Sequence, residues 1–374
     1  MTDLITLSLI AVVLAWCADH ILLRPIEPVP EEGVRHRQIF LTIVIIILLA
    51  GFAGLRTRCN DTGAYKHGYE LLNTDGYLES LNKSIGSNPL FNLINCFLKL
   101  CNVSTQNFLM FWAFLTVGCY VAFCHRFAES YALSVFLLCT TGAYTFCFAG
   151  IKQAAAVGLA LVGVMFYLRG HKIAYLIFIA VATGIHPYSL MYLLVPAARY
   201  RPWTRNTYIL LAASLLGGFM LRPLLGTIVN ITTLLGEEYS VASFSEEGVN
   251  VFRVIVCNVS TVLSFLYRGK LFRDSTPEEN LMVNLTMLNG AIMFVGLFGT
   301  ANYFARLANY FLLFQCISLP WMLKKIGGKD GRILTALMIA GYVGYFWYGN
   351  VIAIPFDSDF ARMSVSEYFK MLGR

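Results

Sequence analysis

A chain of 374 residues with 57% hydrophobic and 13% charged side chains does not fold as an ordinary soluble domain, in which roughly a quarter of the residues are charged. The composition is that of a polytopic membrane protein. The net charge of +7 does not point to nucleic acid, because basic residues of membrane proteins collect in cytoplasmic loops for topological reasons.

About 20 apolar residues are needed for a helix to cross the hydrocarbon. That measure places spans at 4–23, 38–55, 105–124, 131–149, 153–168, 206–222, 250–267, 281–299, 303–323 and 333–350. The first is not expected to be a cleavable signal: no basic residue precedes it and no small-x-small site follows. Residues 89–101, PLFNLINCFLKLC, are too short to span and are expected to lie on or dip into the outer face. The stretch 173–198 contains Gly184-Ile185-His186-Pro187, where proline removes a backbone donor and breaks the helical ladder. One tilted helix or two short segments meeting at His186 fit it equally well.

The basic loops decide between these. RHR at 35–37, HR at 125–126, RGHK at 169–172, ARYRPWTR at 198–205, RGKLFR at 268–273 and KKIGGKDGR at 324–332 all fall on the cytoplasmic side only if 173–198 goes in and comes back. The expectation is therefore an all-α bundle of about twelve membrane segments, including a broken His-Pro hairpin, with both ends outside. It forms one transmembrane domain over 1–374. An outer loop at 56–104 carries the short re-entrant or interfacial helix, and a second outer loop occupies 223–249. Interrupted apolar segments of this kind line cavities, since unpaired backbone cannot face lipid. Most cysteines lie inside apolar runs and read as small core residues. Cys59, Cys96 and Cys101 fall outside the runs, which leaves room for one disulfide.

Six basic residues run against the inside bias: Arg56, Arg58, Lys152, Arg222, Arg253 and Arg306 are all expected outside or at the outer rim. For any one of them, snorkelling to lipid headgroups is as good a reading as a functional one. Six together point to a cationic pocket for a phosphate or pyrophosphate, which arginine binds bidentately. Asp61, in the turn-prone NDTG, fits an Asx-turn or helix N-cap, and also a carboxylate that positions Arg56 or takes a proton. His186 fits a satisfied core histidine or a base near neutral pKa. Asp357 and Asp359 read chiefly as a solvated tail. Tyr65, Tyr69, Tyr303, Tyr310, Trp347 and Tyr348 sit where an interfacial aromatic belt is expected, and some of them suit stacking on sugar rings. Nothing in the sequence requires a metal, and no P-loop or dinucleotide glycine pattern occurs.

Four blocks taken together resemble the EpsG-like family of exopolysaccharide polymerases, related to the Wzy-type polymerases of O-antigen and capsule. They are GLRTRCNDTGAYKHGYELL, GIKQAAAVGLALVGVMFYLR, ATGIHPYSLMYLLVP and ANYFARLANYFLLFQCISLP, in the family's order and spacing over about residues 38–356. Lys152 stands where the family has arginine, which keeps the charge and loses the bidentate fork. The resemblance implies a GT-C-like multi-pass enzyme of the bacterial cytoplasmic membrane with its active site on the extracytoplasmic side. It would transfer a growing glycan from a polyprenyl (undecaprenyl) pyrophosphate to a lipid-linked oligosaccharide repeat unit. Donor and acceptor would then be polyprenyl-pyrophosphate-linked oligosaccharides in contact with membrane lipid, with room for a chain-length-regulating co-polymerase and with no cofactor. Arg56, Lys152, Arg253 and Arg306 are the residues expected on the pyrophosphates, with Tyr65 and Tyr310 on substrate and Asp61 and His186 as competing bases. Two other classes stay open. One is a transporter or flippase of lipid-linked sugars; the other is a glycosyltransferase using a polyprenyl-phosphate sugar.

Overall fold

The computed structural model describes residues 2–21, 37–72, 88–220, 226–227, 230–231, 233–234, 248–299, 301–352, 357–360 and 367. They divide into two compact units, residues 1–186 with 344–374, and residues 187–343. Arg222 and most of the expected outer loop 223–249 lie outside the described residues.

The first unit opens with two apolar helices, α1 (Thr2–His20) and α2 (Ile39–Gly54). Strand β1 (Arg56–Arg58) and the short α3 (Thr62–Glu70) follow, then α4 (Pro89–Leu100) and α5 (Thr105–Phe127). The α5 helix starts where Ser104 Oγ accepts the Asn107 N–H at 3.3 Å, a hydroxyl cap on an otherwise orphaned donor. It packs along α2, an approach that requires Gly54: a Cβ there would stand 2.9 Å from Met110 Cα. The span expected over 131–149 is instead two helices, α6 (Tyr131–Thr140) and α7 (Ala143–Ala149), bent by 43°. The cause is local, since Gly142 takes φ 93° at the joint, a conformation open to glycine at no steric cost.

Helix α8 (Ile151–Leu168) buries Ala154, Ala155, Ala156 and Ala160 completely. Small side chains let helices approach closely where lipid offers no hydrophobic gain; Tyr120 Oη of α5 accordingly reaches Ala154 O at 3.2 Å. Helix α9 (Lys172–Ile185) packs on α8 and α4, then stops. His186 takes φ −152°, ψ 121° because the following proline excludes the helical region. The helix break expected at this dipeptide is present.

In the second unit a 3-10 segment (Pro187–Arg199) leads to α10 (Arg205–Phe219). Then come α11 (Val251–Leu266), the one-turn α12 (Arg268–Leu271) and α13 (Pro277–Val295). Helix α13 begins in a full capping box between Thr276 and Glu279, with Pro277 in its first turn. It is the central element of this unit, packed by α10, α11, the 3-10 segment and the two helices that follow. Asn284 on α13 ties down the end of the 3-10 segment, donating to Ala198 O at 2.8 Å and Tyr200 O at 2.7 Å. The span expected over 303–323 is also broken, into α14 (Ala301–Asn309) and α15 (Leu312–Ile326). At the break Tyr310 O accepts the Tyr192 hydroxyl at 2.6 Å, so a side chain from the 3-10 segment takes up the exposed carbonyl. Helix α16 (Gly328–Phe346) completes the unit and runs on into the π-helical turn Trp347–Ile352.

Beyond that turn, Asp357–Ser358 (β2) pairs antiparallel with β1. These residues, expected as a solvated tail, form the second strand of a ribbon over the end of α2, and the Phe360 ring meets Phe52 edge-on at 5.9 Å. Apart from this ribbon the described fold is all-α. Among the described residues four helices are long and apolar enough to cross a membrane, five if α6 and α7 count as one, and α2, α4, α9 and α11 are shorter apolar helices. These helices make the chain a membrane protein. The larger count of about twelve segments is carried only by the sequence pattern. All ten cysteines are free, so the disulfide for which the sequence left room among Cys59, Cys96 and Cys101 is not formed.

Candidate functional site

Two arginines flank α2, and both are buried. Arg37, at its start, donates to Asp19 Oδ1 at 2.6 Å, to Ala128 O at 2.5 Å and to His125 O. Arg56, just past its end, is 1% exposed. There Nε donates to Thr62 Oγ1 at 3.0 Å and Nη1 to Ala53 O at 2.5 Å. Its Nη2 is buried without a hydrogen-bond partner, and among the described residues Arg56 makes no ion pair. One arginine is neutralised and the other is not. The 16 residues of α2 separate them, about 24 Å at the helical rise, so they mark opposite ends of the bundle.

Burial pulls the Arg56 guanidinium down to about 10, opposed only by the nearby Cys59, Cys147, Tyr65 and Tyr144. Thiols and phenols are poor counter-ions: burial pushes the Cys59 thiol up to about 11. Lys66, one turn into α3, donates to Gln106 Oε1 at 3.3 Å. It is lowered by burial and by repulsion from Arg56, with Asp359 and Glu70 acting the other way. The ribbon brings Asp359 to this place, its N–H donating to Leu55 O at 3.1 Å.

The expected site residues divide by unit. In the first, Asp61 is exposed at the N-cap position of α3 and makes no side-chain cap bond, so the capping reading is not realised. Tyr65 is half-buried, edge-on to Phe91 at 6.3 Å, and within electrostatic reach of Arg56. Lys152 is half-buried in the first turn of α8, and Arg58 is exposed. His186 is buried at the C-cap of α9, its N–H donating to Ala182 O at 2.9 Å. Arg56, Tyr65, Lys66 and Asp359 form one electrostatic group, and Asp61 adjoins it through Cys59.

The EpsG family model matches residues 39–360, a range that includes this group. The chain belongs to the EpsG family. That membership points to an exopolysaccharide-polymerase type of role. No curated protein and no solved structure matches the chain.

The second unit of this EpsG-family chain holds the remaining cations. Arg253, half-buried near the start of α11, donates through Nη2 to Asn309 Oδ1 at 3.4 Å. Arg306 is exposed on α14. Tyr310 is fully buried, its ring 6.4 Å from that of Tyr192 and its carbonyl taken by the Tyr192 hydroxyl. In this packing Tyr310 is a core residue at the helix break.

Lys66 and Asp359 were not nominated from the sequence. Lys66 carried a signal, lying one turn past Asp61 in AYKHGYE. For Asp359, an outer carboxylate, the sequence favours a solvated tail, because its place depends on a strand pairing across some three hundred residues of chain.

Proposed function

We propose that this EpsG-family protein is a membrane polysaccharide polymerase acting on the outer face of the bacterial cytoplasmic membrane. It transfers a growing glycan from polyprenyl pyrophosphate to the non-reducing end of a lipid-linked repeat unit. The bond between the anomeric carbon and the pyrophosphate oxygen breaks. A bond from that carbon to the acceptor hydroxyl oxygen forms, a base takes the hydroxyl proton, and polyprenyl pyrophosphate leaves. Charge develops on the leaving phosphate, and donors already aimed at it lower the barrier.

The observation that carries this reading is Arg56, a buried guanidinium that has no counter-ion and one unpartnered nitrogen among the described residues. A buried cation without a partner is costly, and a pyrophosphate is the anion this chemistry supplies. Lys152, Arg253 and Arg306 are the further cations assigned to the two pyrophosphates, and Asp61 or His186 is the base.

The test is purified protein in detergent with a lipid-linked repeat unit as the sole substrate. A polymerase makes glycan ladders without any compartment to cross, whereas a transporter makes none. Arg56→Ala and Arg306→Ala abolish laddering with folding intact; full activity in both removes the pyrophosphate assignment. Asp61→Asn and His186→Gln then identify the base by which of them removes turnover.

A further inference from the structure

A cavity of about 170 Å³ lies between α3, α4 and α5, and Tyr65, which is within electrostatic reach of Arg56, stands on its wall. Its walls include the aromatic residues Tyr65, Tyr69, Phe91 and Phe108 and the carboxamides Asn92 and Asn95. Among the described residues no charged side chain lines it, which sets it apart from the cationic group around Arg56. The aromatic walls are fixed by their own packing: Tyr69 stacks on Phe108 at 4.3 Å and 15°, and its hydroxyl donates to Val103 O at 2.8 Å.

Asn95 is 6% exposed. Trp112 Nε1 donates to its Oδ1 at 3.0 Å. An indole N–H only donates, which fixes the amide orientation and turns the Asn95 amino group away from Trp112. That amino group has no hydrogen-bond partner among the described residues. An unpaired amide donor on a buried residue that opens onto a roomy cavity is free to take an acceptor from outside the chain. The volume is several times the ~30 Å³ share of one water molecule.

We propose that this cavity is a glycan subsite that takes one uncharged sugar ring of the repeat unit. A pyranose has apolar C–H faces and a rim of hydroxyls, which match aromatic walls and carboxamide groups respectively. The assignment rests on the polymerase reading for the presence of glycan at this end of the bundle.

Gly68 provides the test. It lies on the α3 wall of the cavity, and a Cβ added there meets nothing within 4 Å, so larger side chains can be added at this wall without displacing neighbours. The probe is the repeat oligosaccharide released by mild acid from the host's own lipid-linked pool, titrated calorimetrically into purified protein. Across Gly68→Ala, Gly68→Leu and Gly68→Trp, affinity should fall stepwise with side-chain size, by tenfold or more at leucine, with Tm held. Asn95→Leu, which removes the donor and keeps the bulk, should also weaken binding at least tenfold. Equal affinity across the glycine series, or unchanged affinity in Asn95→Leu, overturns the subsite. Wild type that ladders while the series binds equally loses the subsite alone. Wild type that makes no ladder yet binds the oligosaccharide in a Gly68-dependent way keeps the subsite and loses the polymerase.

Discussion

Substituting methionine for each of the two arginines flanking α2 separates a functional cation from a structural one. In Arg37→Met the Asp19 carboxylate, 16% exposed, is left without its cation and two carbonyls lose a donor. Removing one partner of a buried pair costs about 3–5 kcal/mol. In Arg56→Met no carboxylate is stranded. Burial that pulls Arg56 down to about 10 corresponds to a charging cost of roughly 3 kcal/mol, which the substitution relieves. Against that, Thr62 Oγ1 and Ala53 O lose their donor, at about 1–3 kcal/mol each. The two terms nearly cancel, and Arg56→Met should unfold within about 2 kcal/mol of wild type. The sign with pH is definite. The folded-state pKa lies below the unfolded one, so the penalty on wild type is full at neutral pH and fades as pH rises through about 10. The assay is thermal unfolding of both variants in one detergent, with and without inorganic pyrophosphate. Pyrophosphate at a hundred times its Kd stabilises the folded state by ~2.7 kcal/mol, and this shift should be present in wild type and missing in Arg56→Met. Equal destabilisation of the two variants, or a pyrophosphate shift that survives in Arg56→Met, refutes the argument.

Three other outcomes follow from the same geometry. Cys101 is exposed while Cys59 and Cys96 are buried, so a membrane-impermeant maleimide on intact cells should label Cys101 alone. Labelling only after permeabilisation places this end of the bundle in the cytoplasm. Asp359→Asn removes a carboxylate that raises the Lys66 pKa; more neutral amine is then present at pH 8, and Lys66 should acylate faster, an unchanged rate showing that the ribbon does not hold Asp359 there. Thr276→Ala breaks the capping box of α13 and should cost about 1 kcal/mol in denaturant unfolding, with no change in pyrophosphate binding.

What the sequence made legible follows from how local each cause is. Pro187 constrains the residue before it whatever surrounds it, so the stop at His186 could be read from two letters. The alanine run of α8 announces close packing for the same reason. The break at Tyr310–Phe311 has no proline or glycine to signal it, and its carbonyl is taken up by a hydroxyl from the 3-10 segment. Gly142 did sit at the joint of α6 and α7, but an apolar run of spanning length outweighed one glycine. At the site, Arg56 was visible as a charge on the side where the topology rule disfavours one. That it is buried and unneutralised, whereas Arg37 is buried and paired, is a statement about partners that charge counting cannot make.

The placement of the two proposed subsites has its own logic. The bond to be broken joins a sugar to a pyrophosphate, so the group that holds the phosphate and the group that holds the sugar must be neighbours. In the proposed reading helix α3 adjoins both. Thr62 holds the Arg56 guanidinium, Tyr65 stands one turn on between Arg56 and the cavity, and Gly68 with Tyr69 forms the cavity wall beyond it. From Thr62 to Gly68 the helix rises about 9 Å. Lys66 on the same helix adds positive charge on the phosphate side, held back by the Asp359 that the ribbon delivers. A short helix with a cation at one end and aromatic rings at the other can thus read the donor's two halves in register. A proline at Tyr65 should therefore uncouple pyrophosphate binding from oligosaccharide binding while leaving the helices around it in place.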